Sequence, residues 1–245
     1  ENFLCKHCNI MYKGLGTEGY IDIQKVMPCK RKEDPEFWKG RRVWLGLDLS
    51  QTDDNTALAM LTEEDGTICA KVWGFLPKDR MEAKTEKEQV DYAKLVRQGC
   101  CFACGDEVID YGFVEDFILS LPERYGVEIM QLGFDRYNAI STVQKLEAAG
   151  IECVEIKQHS SVLHPATKLL RECILKKTFR YDENRLLEIN FQNARCAEDT
   201  NLNKYVNKKK SAGKVDMVVA TINAMYLLQQ ELEFGRGIDW GIQIA

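Results

Sequence analysis

A charged residue stands inside the most apolar stretch of the chain. Val43-Trp44-Leu45-Gly46-Leu47-Asp48-Leu49 reads as a buried strand, and Asp48 interrupts it. A carboxylate among such neighbours is costly unless it is paired or binds a cation. Alternation along a strand turns Asp48 away from Leu47 and Leu49. One strand therefore asks for two surroundings: apolar cover, and a polar or cationic partner for Asp48.

The segments that follow supply the cover. Residues 50–55 form a polar turn, and residues 56–62 and 67–75 read as two more strands joined by a hairpin turn over 63–66. The period then changes. Helical spacing runs over 81–98 and again over 112–121, where Pro122 is expected to stop it. A strand over 127–134 ends at Asp135, a helix over 138–149 stops at Gly150, and a fifth strand covers 151–156. Helices are expected over 163–177 and 184–197, then a lysine-rich segment, then a last helix over about 215–232. Three antiparallel strands followed by alternating helices and strands predict an α/β, ribonuclease H-like mixed sheet of five strands with helices on both faces. Residues 1–42 carry no sustained periodicity and include the charge run Lys30 to Asp34 before Pro35. They read as a linker or arm, and residues 43–245 as the folded domain.

Two further aspartates fall where this fold places chemistry. Asp135 sits at the carboxyl end of the fourth strand, and Asp216 in the first turn of the last helix, whose small residue Ala220 permits close approach to the sheet. Either alone is an ordinary turn or helix-start acid. With Asp48 they form a set of three carboxylates that cannot all stay ionised side by side without a cation. An all-oxygen set suits Mg²⁺ or Mn²⁺, and two such ions suit in-line phosphoryl displacement. Asp53, Asp54 and Asp110 are candidate supplementary acids; Asp53 and Asp54 also read as a solvated turn, and Asp110 as a helix cap. Lys208, Lys209, Lys210 and Lys214 are candidate phosphate contacts, Lys214 foremost because it lies two residues before Asp216. His159 reads as an ordinary surface histidine.

These segments carry a likeness. Gly46-Leu-Asp-Leu-Ser-Gln-Thr-Asp-Asp-Asn-Thr-Ala, Gly133-Phe-Asp-Arg-Tyr-Asn-Ala and Lys214-Val-Asp-Met-Val-Val-Ala-Thr-Ile-Asn-Ala resemble the nuclease domain of tailed-phage terminase large subunits. Trp73-Gly-Phe-Leu-Pro, residues 158–165 and Asn193-Ala follow in matching order, so the likeness covers about residues 43–230. It implies a metal-dependent endonuclease that cuts concatemeric double-stranded viral DNA during packaging by a two-metal mechanism. Asp48, Asp135 and Asp216 would be the ligands, with Asp48 bridging both ions. It implies as partners a packaging ATPase domain of the same protein, a portal protein and a small terminase subunit, all in the host cytoplasm. Residues 1–42 would be the joint to that ATPase, whose phosphate-loop motif this chain lacks. Some relatives carry a further acid where Met217 stands here.

Two alternatives remain. Gly46-Leu-Asp-Leu-Ser-Gln-Thr is also similar to the first phosphate loop of actin-like sugar kinases and ATPases, although no second half is visible. The pairs Cys5/Cys8 and Cys101/Cys104 have zinc-ligand spacing, with His7 as a spare, and would suit a zinc-held interaction module. The ten cysteines are not read as disulfides, since several lie in apolar strand or helix patterns. A net charge of −5 excludes a wholly basic nucleic-acid coat but not a local basic groove. No apolar run approaches a membrane span, and no secretory signal is present.

Overall fold

The computed structural model describes residues 19–50, 55–136 and 139–234. The strand with the embedded acid is β2 (Arg42–Asp48), an interior strand of the sheet. β2 pairs antiparallel with β3 (Thr56–Glu64), and β3 pairs antiparallel with β4 (Thr67–Leu76). On its other side β2 runs parallel to β6 (Glu128–Phe134), and β6 to β7 (Cys153–Glu155). The expected meander and the two crossover strands are thus in place.

The sheet has eight strands rather than five. The three additions lie along the outer side of β4. β8 (Phe179–Asp182) pairs with residues 68–70, β5 (Cys101–Ala103) with residues 74–76, and β1 (Lys30–Arg31) lies outside β8. Strands of two to four residues are too short to show a period of two, which is why the sequence concealed them. The Asn184 side chain spans the gap between β8 and β5, donating to the Val72 and Cys100 carbonyls at 2.9 and 3.0 Å. A separate two-stranded hairpin joins β9 (Cys196–Glu198) and β10 (Lys204–Val206), where the end of a longer helix was expected.

From Gly19 onward the stretch read as an arm packs on this body. It carries two one-turn helices, α1 (Ile23–Val26) and α2 (Pro35–Trp38), the second capped by the Asp34 carboxylate. Tyr20, Val26, Cys29 and Trp38 are buried. Asp182 accepts from Arg31 Nε at 2.6 Å and Trp38 Nε1 at 3.1 Å, and Lys71 Nζ stands 3.5 Å away. Its partners lie more than a hundred residues away in sequence, so local patterning gave no hint of them.

Alternation sorts side chains to two cores. Ala57, Ala59 and Leu61 of β3 face one, and Leu58 and Met60 the other. The helix expected over 81–98 is two, α3 (Met81–Glu88) and α4 (Tyr92–Arg97). Left-handed Gln89 breaks it, and the Asp91 carboxylate caps the second half by accepting from the Lys94 N–H. The second core is covered by α5 (Tyr111–Tyr125) and α6 (Ile140–Ala148). α5 continues through Pro122 and stops at Gly126, whose φ of 65° ends it. Pro122 cannot donate to the carbonyl one turn back, yet the helix runs one turn beyond it, and the Gly126 N–H closes on the Pro122 carbonyl. The first core is covered by α7 (Ser160–Lys176), α8 (Arg185–Asn193) and the central α9 (Asp216–Phe234).

Candidate active site

The site begins with two glycines. Gly46 shares the face of β2 with Asp48, and Gly133 shares the face of β6 that points to α9. At Gly46 the helix backbone comes so close that an added Cβ would lie 2.0 Å from the Ala220 carbonyl oxygen. Only glycine permits that crossing. One turn earlier on α9, Asp216 arrives beside Asp48. The register pairing Leu47 with Phe134 brings Asp135 to the strand end next to that of Asp48.

Asp48 and Asp216 are 4% and 2% exposed. Their common partner is Lys208, whose Nζ lies 2.6 Å from Asp48 Oδ2, 2.8 Å from Asp48 Oδ1 and 3.1 Å from Asp216 Oδ1. Burial works against the lysine charge. The two carboxylates outweigh it and hold the ammonium above the ordinary lysine range. Asp216 Oδ2 accepts the Asn55 N–H at 3.3 Å. Asn223 Nδ2 donates to the Leu47 carbonyl at 3.1 Å and so pins the end of β2 to α9. The Met217 N–H, at the helix start, is satisfied by Asn190 Oδ1 of α8 at 3.0 Å. Met217 is itself buried in the first core.

A second polar chain leads away from the site. Asn55 Nδ2 donates to the Tyr92 hydroxyl at 3.1 Å, which donates to Glu88 at 2.5 Å; Lys84 Nζ lies 3.5 Å from Glu88. Burial and the Glu88 charge push the Tyr92 hydroxyl upward. Burial lowers the Lys84 ammonium, and Glu88 opposes this. Beside this chain runs a groove of about 440 Å³ lined in part by Tyr92, Lys87, Lys208, Ser211 and Lys214.

The predicted site residues thus sort by place. Asp48 and Asp216 meet through Lys208, and half-buried Asp135 stands at the neighbouring strand end. Lys208, the lower-ranked lysine, bridges the two carboxylates. The turn Lys208–Lys210 follows β10 and is capped by Asn207; all three lysines are exposed, and Lys208 is the one whose ammonium reaches the acids. Lys214 lines the groove. Asp53 and Asp54 lie outside the described residues. Asp110 caps α5, accepting the Phe113 N–H at 3.3 Å, while Tyr111 donates to the Ser50 carbonyl just beyond β2. His159 caps α7 and is exposed. Asn55 and Asn223 lie within the motifs quoted above but were assigned no role there, and Lys84 gave no signal because it stands among the charged residues of α3.

Among the described residues, no group of three or more His, Cys, Asp or Glu side chains forms a cluster able to hold a metal ion as it stands. The donor chemistry nonetheless suits one. Two buried carboxylates already share one cationic group, and oxygen donors of this kind favour hard divalent ions. Cys101 and Cys104 do not form a zinc-ligand pair, since they belong to opposite cores of the sheet; Cys5 and Cys8 lie outside the described residues. No helix among the described residues is long and apolar enough to cross a membrane.

A sequence model of the family described as "Terminase large subunit, endonuclease domain" matches residues 1–231. The large terminase subunit of Enterobacteria phage HK97 is 27% identical over 184 residues, covering 74% of this chain and 36% of that protein. The crystal structure of the HK97 large terminase superposes with a TM-score of 0.78 at 23% identity, over 86% of this chain and 44% of that one. A large terminase structure from a thermophilic bacteriophage matches with a TM-score of 0.55 at 13% identity, over 95% and 52%. The chain therefore spans about a third to a half of the large terminases it resembles.

Proposed function

The chain belongs to the terminase large subunit endonuclease family, and from that premise we propose that it is a metal-dependent endonuclease that hydrolyses phosphodiester bonds of double-stranded viral DNA concatemers during genome packaging. The observation that carries this reading is the convergence of Asp48 and Asp216, remote in sequence and buried, on one cationic group. Asp48, Asp135 and Asp216 would hold two Mg²⁺ or Mn²⁺ ions. When bound, such ions activate water and stabilise the charge that develops on the leaving oxygen.

The chain's own residues do the rest. The β2–α9 crossing fixes Asp48 against Asp216, and Asn55 and Asn223 hold the surrounding backbone. Lys208, Lys209, Lys210 and Lys214 hold backbone phosphates, Lys208 and Lys214 from inside the groove. The domain works joined to a packaging ATPase through its N-terminal arm, alongside a portal protein and a small terminase subunit, in the host cytoplasm.

The test is plasmid nicking. Supercoiled DNA with Mn²⁺ or Mg²⁺ should be nicked by this chain and left intact by Asp48→Asn and Asp216→Asn. Equal nicking by the variants would refute the site, and no nicking with any divalent ion would refute the activity.

A further inference from the structure

We infer that Lys208 is the resident counter-ion of the Asp48–Asp216 pair, and that a divalent cation enters by exchanging places with its ammonium. The inference rests on the metal-nuclease reading above and adds a step that reading does not contain.

Three observations lead to it. The ammonium contacts both oxygens of Asp48 and Oδ1 of Asp216, the donors a cation would need. Lysine and metal ion therefore compete for the same atoms. The two carboxylates ride on β2 and α9, whose backbones touch at Gly46 and Ala220 and leave little room for adjustment. The lysine differs: its side chain is 37% exposed and it projects from a three-residue turn. It is the member of the trio that can withdraw. Finally, Asp216 is held from its other side, where Oδ2 accepts the Asn55 N–H. Withdrawal of Lys208 leaves that carboxylate oriented.

The exchange has two effects. Without metal, the ammonium keeps two like charges together that would otherwise repel, so the pair is preorganised. With metal, the displaced ammonium is delivered to the groove it already lines with Lys214, where a phosphate oxygen of bound DNA is its natural partner. Lys208 is thus a positioning residue that links metal entry to phosphate capture.

The experiment measures metal binding rather than cleavage. The 245-residue chain is titrated with Mn²⁺ alone by calorimetry near neutral pH, beside Lys208→Met and Lys208→Arg. Lys208→Met, which keeps the stem and loses the charge, should bind Mn²⁺ about tenfold more tightly or better, because the ammonium no longer has to be displaced. Lys208→Arg should stay near wild type. A second readout needs no variant and decides the matter if Lys208→Met fails to fold: amine labelling of Lys208 in the wild-type chain, read by mass spectrometry, should rise severalfold on adding Mg²⁺. Equal affinity of wild type and a folded Lys208→Met, or labelling indifferent to saturating Mg²⁺, overturns the exchange and leaves the nuclease reading standing. Failure of every chain to bind Mn²⁺ removes the nuclease reading and the exchange with it.

Discussion

Replacing Gly46 with alanine adds one methyl group at the point where sheet and helix meet. Its Cβ would lie 2.0 Å from the Ala220 carbonyl oxygen and 2.4 Å from the Ala224 nitrogen, whereas ordinary contact begins at 3.4 Å. Both obstacles are helix backbone, so neither can rotate aside. α9 has to retreat by about an ångström or more, loosening a buried face that it shares with β2 and β3. Overpacking of this kind costs about 3–4 kcal/mol, above its usual range of about 1–3 because backbone must move. For a domain of this size that lowers the melting temperature by roughly 10 °C. Gly133→Ala is the comparison. Its Cβ would meet Ile156 Cδ1 at 2.5 Å, a movable side-chain tip, and nothing else closer than 3.2 Å. It should cost about 1–2 kcal/mol. Gly19→Ala, whose nearest neighbour is Arg195 Nη1 at 4.0 Å, is the control and should melt within about 0.5 kcal/mol of wild type. Urea melts of the three variants test this. A Gly46→Ala protein as stable as wild type, or no more affected than Gly133→Ala, would refute the reasoning. The same retreat carries Asp216 away from Asp48, and misplacement on that scale costs on the order of a hundredfold in nuclease rate.

Other outcomes follow from buried charge and buried thiols. Asp182→Ala leaves Arg31 and Lys71 beside a site that has lost its carboxylate, and should destabilise by about 3 kcal/mol in a urea melt, while a loss under about 1 kcal/mol would show that the network contributes little. Hydrogen bonds from the Ser160 hydroxyl and Asn203 hold the Asp199 carboxyl well below its usual range. Its folded pKa is depressed, so its contribution is present above the unfolded value of about 4 and fades as pH falls below it. The gap in urea midpoint between wild type and Asp199→Asn should therefore narrow from about pH 6 to about pH 3; a constant gap would contradict the assignment. Burial pushes the Cys101 thiol up to about 12 and Cys104 up to about 11, so maleimide should label both only after unfolding. Native-state labelling of either would count against their burial.

What the sequence disclosed follows from how far each signal reaches. Asp48 was conspicuous because a carboxylate in an apolar strand is itself a local anomaly. The long strands β2, β3, β4 and β6 stood out as extended apolar runs bounded by turns. β8 did not, since Phe-Arg-Tyr-Asp is four residues between two helices and owes its strand state to β4, more than a hundred residues earlier. Lys208 was ranked below Lys214 for a similar reason. Closeness in sequence to Asp216 favoured Lys214, but the turn after β10 folds back and points the earlier lysine at the acids. The contacts of Trp38 and Arg31 with Asp182 join segments about 150 residues apart, and no window of sequence can contain both.

The divided outer side of β4 has a consequence for the life of the chain in a crowded cell. A ten-residue strand with an open side is a template on which a second copy can add. Here β8 occupies one end and β5 the other, and the Asn184 amide takes up the Val72 carbonyl between them. The same side chain accepts the Leu187 N–H at the start of α8. Closing the seam and starting that helix are one event. A chain that has not yet folded α8 leaves its longest strand open to aggregation, and one that has folded it has that side of β4 taken up at both ends and at Val72 between them.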